Sequence, residues 1–439
     1  MTIMAPRSTD LQIDYRDPRL LAPSPLNPRT HSTGQITKIA KSIRAFGFNN
    51  PVLLDSAGQI IAGHGRVLAA IELGMAHVPT VPLSHLSDAQ KRAYVIADNR
   101  LCEVGGDWDA EILAINFGAL MEADLDFDIT DIGFEMPEIE ATLLADDDTA
   151  LPADTIDRME MVPQIARPGD LWALGDHLIF CGDALDRYSH RILMGAERAA
   201  MVFTDPPYNL KIEGNVSGLG RARHGEFAMA SGEMSPPQFS AFLRRVLDLA
   251  CSTSIDGALH YVCMDWRHVG EMHVALDGLY SELKNICVWV KSNGGMGSFY
   301  RSQHELIFVA KVGRAPHVNN IQLGKHGRNR SNVWNYAGMN SFHAGRDEAL
   351  ALHPTVKPVA MVADAIYDCT SRGSLIFDPF GGSGTTLLAA HKAKRRARLI
   401  EIDPRYVDVT VHRFLKETGI EARNLLTGQI VTAGGGMFS

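Results

Sequence analysis

The 439-residue chain is predicted to be an α/β protein, with a doubly wound sheet in residues 166–425 and a smaller α+β domain ahead of it. Three observations carry that prediction. A short apolar run ends in Asp205-Pro206-Pro207-Tyr208. A pattern of strand, glycine turn and helix occupies 374–394. An acid-rich stretch separates both from an amino-terminal region with its own helix and strand patterns.

In chain order, residues 1–19 read as a tail and 20–120 as the small domain. That domain has an amphipathic helix at 35–46, strands at 51–54 and 59–61, and a turn Gly63-His64-Gly65-Arg66 opening a helix at 67–73. Glycines and a guanidinium at a helix start make Gly63, Gly65 and Arg66 a candidate phosphate site. Residues 101–157 hold seventeen Asp or Glu and no Lys or Arg, so the net charge of −9 hides a sum of +8 elsewhere. Within this stretch, 121–165 reads as an acidic helical linker.

The run ending at Asp205 is the most informative segment. Two prolines lock φ and cannot continue a ladder, so the chain leaves its strand as a rigid turn. Asp205 offers an anionic acceptor, the Pro206 carbonyl a second acceptor, and Tyr208 a flat face. Such a set suits a planar ring bearing an exocyclic amine, with Asp205, Pro206, Pro207 and Tyr208 as the catalytic group. Further along, 211–235 is glycine-rich with Arg221 and Arg223, while 306–345 contains no acid but carries Lys325, Arg328 and Arg330. Positive charge without internal pairing suits phosphate and base-edge contacts, which makes these five cations candidate nucleic-acid contacts.

In the last third, Asp378-Pro379-Phe380-Gly381-Gly382-Ser383-Gly384 follows an apolar strand and precedes a helix. Backbone approaches a ligand closely at such a turn, and a helix start favours a negative group. The next strand pattern, 397–402, puts Glu401 nineteen residues after Gly382, where an acid takes ribose hydroxyls in nucleotide-binding folds. No lysine follows the glycines, which excludes a P-loop. Leu387 stands where a dinucleotide fingerprint has its third glycine. Residues 426–439 read as a tail.

These motifs together resemble the S-adenosylmethionine-dependent DNA methyltransferases that modify an exocyclic amine. The catalytic turn precedes the glycine turn, an order similar to the β-class enzymes, whose Rossmann-like sheet is circularly permuted. The resemblance implies S-adenosyl-L-methionine as cofactor, with Asp183, Thr355, Lys357, Asp378, Phe380, Gly382, Ser383, Gly384 and Glu401 around it. Asp183 would meet the adenine, and Thr355 and Lys357 the methionine carboxylate. It implies double-stranded DNA as partner, with the five cations as its contacts and a recognition segment near 313–350, a flipped base stacked on Tyr208, and direct transfer to an amine held by Asp205 and the Pro206 carbonyl. Adenine N6 is the expected target, because Asp heads the turn in the adenine enzymes and Ser more often in the cytosine-N4 enzymes. The alternatives are cytosine-N4 transfer, an RNA or protein amide methyltransferase, and a non-catalytic DNA-binding factor.

Residues 20–120 resemble the ParB partition-protein domain, with one departure: where that family's box reads Gly-Glu-Arg-Arg, only Arg66 remains, after His64 and Gly65. A DNA-contacting or regulatory module is expected there in place of a nucleotide hydrolase, beside the alternative of a structural cap.

Composition bounds the rest. With 46% hydrophobic and 21% charged residues the chain is ordinary globular protein, and no apolar run approaches membrane-spanning length. A cytoplasmic location is expected, with a homodimer left open. The six cysteines stand singly, none after a proline, so neither a zinc knuckle nor the Pro-Cys nucleophile of cytosine-C5 enzymes is present. No metal is expected.

Overall fold

The computed structural model describes residues 11–24, 31–104, 108–123, 125–146, 162–209, 232–291, 299–321, 330–336, 357–432 and 437–438. The chain divides into two compact units, residues 1–147 and 148–439.

In the first unit, β1 (Asp14–Arg16), β2 (Ala22–Pro23), β3 (Val52–Leu54), β4 (Gln59–Ala62) and β5 (Val78–Pro82) form a sheet in the order β1-β5-β3-β4-β2. Helix α1 (Thr33–Phe46) begins where Ser32 accepts from Gln35 N at 3.2 Å and stops at Gly47, whose φ is 83°. Helix α2 (His64–Glu72) is entered through Gly63 in the left-handed region. A Cβ at Gly65 would stand 3.0 Å from Ile39 Cδ1, so this glycine lets α2 approach α1. Leu21, Val52, Leu54, Ile60, Val67, Ala70 and Val78 make the core beneath them.

Helices α3 (Asp88–Val104), α4 (Ala110–Glu122) and α5 (Met136–Asp146) follow. The stretch expected to be a linker from 121 onward differs from that reading. A short 3-10 turn at Ile129–Ile132 and α5 pack with α4 around buried Phe117, Ile129 and Ile139. Three apolar residues spread over separate short elements leave no periodic signal beside so many carboxylates. The expected tail 1–19 also differs: Asp14–Arg16 pairs antiparallel with β5, and Thr80 Oγ1 donates to Asp14 O. An exposed three-residue edge strand has no alternation to read, since its pairing is set by a distant partner.

The second unit contains β6 (Leu171–Leu174), β7 (His177–Cys181), α6 (Arg187–Met194), β8 (Ala199–Thr204), α7 (Pro236–Ser252), β9 (Ser254–Met264), α8 (Val269–Leu276), β10 (Glu282–Val290), β11 (His304–Lys311) and β12 (Val333–Asn335). It continues with α9 (Val359–Cys369), β13 (Leu375–Asp378), α10 (Thr385–Lys392), β14 (Arg396–Glu401), α11 (Pro404–Thr418), β15 (Ala422–Asn424), β16 (Ile430–Val431) and β17 (Met437–Phe438). Among the described residues these strands form one sheet, β12-β10-β11-β9-β8-β13-β14-β7-β6-β15-β16-β17. Residues 430–431 and 437–438, expected in a tail, thus extend its edge.

The five central strands, β9 to β7 in that order, run parallel. Their apolar runs are buried on both faces, as a parallel sheet covered by helices requires. From β8 the chain passes through α7 to β9 on one side; from β13 it passes through α10 to β14 on the other. Adjacent β8 and β13 therefore flank the switch point of the sheet, and the crevice beyond their carboxyl ends is where such folds bind ligands. The strands that flank it on the far side, β13 and β14, enter the middle of the sheet late in the chain, which is the permuted order. Asp205 follows β8 directly and the glycine turn follows β13 directly.

Candidate active site

The catalytic turn leaves β8 at Thr204 and is fixed at its far end by Asn209, a residue in the left-handed region with φ 53°. The Asn209 side chain accepts from Gly232 N and Met234 N, each at 3.1 Å, and donates to Met234 O at 2.8 Å. Sequence reasoning missed it. The tolerance of Asn for positive φ after a proline turn was the available signal.

Around Asp205 the structure gathers two carboxylates, two ammonium groups and a phenol. Tyr208 OH donates to Asp205 Oδ1 at 2.5 Å, and Lys357 Nζ donates to Asp205 Oδ2 at 2.6 Å. On its other side Lys357 pairs with Glu305 Oε2 at 2.9 Å, and Tyr208 OH lies 3.1 Å from the same oxygen. Lys291 Nζ closes the group on Glu305 Oε1 at 2.5 Å. Glu305 stands opposite Trp289 in the β10–β11 pairing, so the loop end of that hairpin delivers Lys291 and Glu305 together. Lys357 Nζ also lies 5.6 Å from the Tyr208 ring centroid and 5.7 Å from that of Trp289. The Lys357 and Glu305 side chains are 4% and 7% exposed, whereas Asp205 retains 24%, which leaves it reachable from the crevice.

Burial is the largest influence on Asp205, Tyr208, Glu305 and Lys357. It pushes the Asp205 carboxyl upward, with Lys357 opposing and Glu305 reinforcing. Glu305 is likewise pushed up by burial, but Lys357 and Lys291 outweigh this and hold it down at about 2. Burial pulls Lys357 downward, and Asp205 with Glu305 more than reverse it, so its ammonium stays charged. The Tyr208 phenol is driven well above its usual range by burial and by Asp205. At neutral pH the cluster therefore holds a firmly anionic Glu305, a firmly cationic Lys357 and a neutral Tyr208.

In the structure the ammonium of Lys357, expected at the methionine carboxylate, binds Asp205 and Glu305. A cation needed by two buried carboxylates is held at that site by their desolvation cost. Glu305 and Lys291 were not found by sequence reasoning. A single acid inside the apolar run of β11 was the available signal.

The glycine turn forms the opposite wall. Asp378 accepts from Phe380 N at 3.0 Å and from Thr386 Oγ1 at 2.6 Å, which makes it the brace of the turn, buried and pushed up to about 7 by that burial. Ser383 is buried, and its carbonyl accepts from Arg413 Nη1 at 3.3 Å. Half-buried Phe380 packs toward Phe242. Gly382 N donates to Glu401 Oε2 at 2.7 Å, and Asp403 N donates to Oε1 at 2.9 Å. Burial pushes Glu401 up to about 7 as well, against the pull of these amides. At Gly382, whose φ is 50°, no atom lies within 4 Å of where a Cβ would be. Asp183, beyond the end of β7, accepts from Leu185 N at 2.8 Å. An open space over a helix start, bordered by Glu401 and Asp183 as acceptors for hydroxyl and amine groups, fits S-adenosylmethionine.

The expected DNA contacts fare differently. Arg330 is 17% exposed and pairs through Nε with Asp368 at 2.7 Å and through Nη1 with Asp364 at 3.1 Å, both on α9. It is a strut between β12 and α9 and no free phosphate ligand. The Arg330→Ala protein is expected to lose about 3–5 kcal/mol of stability by taking the guanidinium from buried Asp368, read as a lower unfolding midpoint in urea. Lys325, Arg328, Arg221, Arg223 and Thr355 lie outside the described residues. In the first unit, Arg66 folds back toward Gly63 and its Nη2 reaches Pro51 O at 3.4 Å, while His64 Nε2 accepts from Ser24 N at 3.2 Å.

Family models match in three consecutive blocks. Residues 7–100 match the ParB N-terminal domain, 111–168 the ParB-methyltransferase HTH domain, and 199–412 the DNA methylase family of the N6/N4 type. The second block covers the whole stretch expected as a linker, 121–165. Over 85 residues the chain is 52% identical to the ParB-like nuclease domain-containing protein YnaK of Escherichia coli (strain K12), covering 19% of this chain and 98% of that protein. Over 256 residues it is 26% identical to the type II methyltransferase M2.MboI of Moraxella bovis, covering 55% of this chain and 89% of that protein. The type II methyltransferase M2.DpnII of Streptococcus pneumoniae is 26% identical over 248 residues, covering 53% and 88%. With the crevice at the switch point, the anionic turn after β8 and the glycine turn after β13 all in the matched block, the chain carries a DNA methylase domain of the N6/N4 type over residues 199–412 and a ParB-type amino-terminal domain.

Proposed function

We propose that this DNA methylase moves a methyl group from S-adenosyl-L-methionine to N6 of adenine in double-stranded DNA. The observation that supports the reading best is Asp205, a partly exposed carboxylate at the switch point whose two oxygens are already held by Tyr208 and Lys357. A carboxylate has about four acceptor positions, so each oxygen keeps capacity for an amine hydrogen. The target base is turned out of the duplex and stacks on Tyr208. Asp205 and the Pro206 carbonyl then take the amine hydrogens and draw the nitrogen lone pair out of conjugation.

When bound, S-adenosylmethionine supplies an electrophilic methyl on a sulfonium. Glu401 and Asp183 are the residues we assign to its ribose and adenine, and the turn from Phe380 to Gly384 to its backbone. Asp205 receives the proton released by the methylated amine and passes it to solvent. The choice of adenine over cytosine rests on the family association of an acid at the head of the turn with the adenine enzymes, since either base offers an amine to Asp205.

Mass spectrometry of nucleosides from DNA methylated with labelled cofactor tests the assignment: label in deoxyadenosine is expected, and label in deoxycytidine alone overturns the choice of base. Glu401→Ala is expected to weaken S-adenosylmethionine by about 1.5–3 kcal/mol, the value of a charge-assisted hydrogen bond. Unchanged affinity by calorimetry moves the ribose role elsewhere.

No helix among the described residues is long and apolar enough to cross a membrane. The reading places the enzyme in the cytoplasm with its DNA, and sedimentation tells monomer from homodimer.

A further inference from the structure

Resting on the reading of Asp205 as the amine acceptor, we propose that Lys357 is a positioning residue for methyl transfer: its ammonium, braced from behind by Glu305 and Lys291, pins one oxygen of Asp205 while Tyr208 pins the other, so that the carboxylate meets the target amine anionic and correctly turned. The contacts form a continuous chain. Lys291 holds Glu305 at 2.5 Å, Glu305 holds Lys357 at 2.9 Å, and Lys357 holds Asp205 at 2.6 Å.

Two opposed pairs make the cluster electrically neutral, which is what allows four charges to share a largely buried site. Remove the ammonium, and two carboxylates bridged by one phenol face each other with no cation between them. Remove Glu305, and Lys357 loses one of the two carboxylates it bridges. Among the described residues, the other titratable groups facing Asp205 are Tyr208 on the same turn, Cys263 on β9 and Asp378 at the end of β13. The Cys263 thiol is driven well above its usual range by burial, and Asp378 stands at about 7 for the same reason. Neither supplies the positive charge that Lys357 brings.

The decisive experiment is the pH profile of kcat for the full chain with unmethylated genomic DNA and methyl-labelled S-adenosylmethionine. Transfer requires anionic Asp205, so the acid limb reports its proton. Lys357→Met is expected to lower kcat about 100-fold, the scale of a misplaced catalytic group, and to move the acid limb to higher pH. Glu305→Gln removes a repelling charge and keeps the shape, and is expected to move the limb to lower pH. A merely structural role would not displace the two limbs in opposite directions.

Should Lys357→Met fail to fold, Glu305→Gln alone decides: a limb at lower pH supports the proposal, and a limb superimposed on wild type overturns it. Calorimetry adds a second readout, with S-adenosylmethionine affinity of Lys357→Met expected within about two-fold of wild type; a loss of about ten-fold or more returns this lysine to the cofactor and overturns the proposal. Wild-type protein that labels no DNA overturns the reading of function itself, whereas active wild type with unmoved variants overturns the positioning role alone.

Discussion

Asp205→Ala is expected to lower methyl transfer to DNA by about 10³-fold or more while S-adenosylmethionine still binds. Losing one preorganised group aimed at developing charge costs about 10²–10³-fold, and here the same substitution also removes the acceptor of the product proton. The cofactor wall is built from β13, α10 and β14, with Asp378 braced by Phe380 and Thr386, so none of its hydrogen bonds passes through Asp205. Alanine leaves the buried Lys357 with one carboxylate in place of two, and some stability is lost with it. Asp205→Asn is therefore the companion variant: it keeps the volume but turns an amide toward the ammonium, and it should be nearly as inactive. The measurement is incorporation of labelled methyl into DNA beside cofactor affinity by calorimetry. Turnover near wild type in either variant would remove Asp205 from the chemistry, and joint loss of transfer and cofactor binding would place it on the cofactor.

The legible parts of this site are those whose chemistry is local. Prolines 206 and 207 force a turn wherever they stand, and glycines at 382 and 384 mark a backbone with positive φ next to a helix start. Both turns lie at the carboxyl ends of strands, as the sequence predicts, and the structure makes those two strands neighbours. What could not be read is the part made across space. Residues 306–345 contain no acid, and this made Arg330 look like an unopposed cation, yet its partners Asp364 and Asp368 come from α9, outside that window. Glu305 lies one residue before the same window and belongs with Lys357, fifty-two positions later. Charge counted along a chain says how it is distributed in sequence and nothing of what faces it once strands pair. The same limit hid β1, whose three exposed residues become a strand only because β5 offers an edge.

Gly384→Val is expected to be the most damaging single change in the cofactor wall, with loss of both stability and S-adenosylmethionine binding. Gly384 has φ 81° at the cap of α10, and a Cβ there would stand 2.6 Å from Thr410 Cγ2 and 2.9 Å from its Oγ1. A left-handed backbone costs a side chain about 1–2 kcal/mol, and forcing extra carbon into a packed site costs about 1–3 kcal/mol more. Thr410 cannot simply retreat, because its hydroxyl donates to Gly382 O at 3.0 Å and so holds the turn that Gly382 N ties to Glu401. Displacing it disturbs the ribose acceptor and the glycine turn together. Gly382→Ala makes the informative contrast. It also sits at positive φ, 50°, but its Cβ would enter open space, so the fold should lose only the backbone term of about 1–2 kcal/mol while the methyl group occupies room meant for the cofactor. Thermal unfolding should then separate the two variants, with Gly384→Val melting well below Gly382→Ala, and calorimetry should find cofactor binding weakened in both. Full cofactor affinity in Gly382→Ala would show that the open space over the turn is not where S-adenosylmethionine lies.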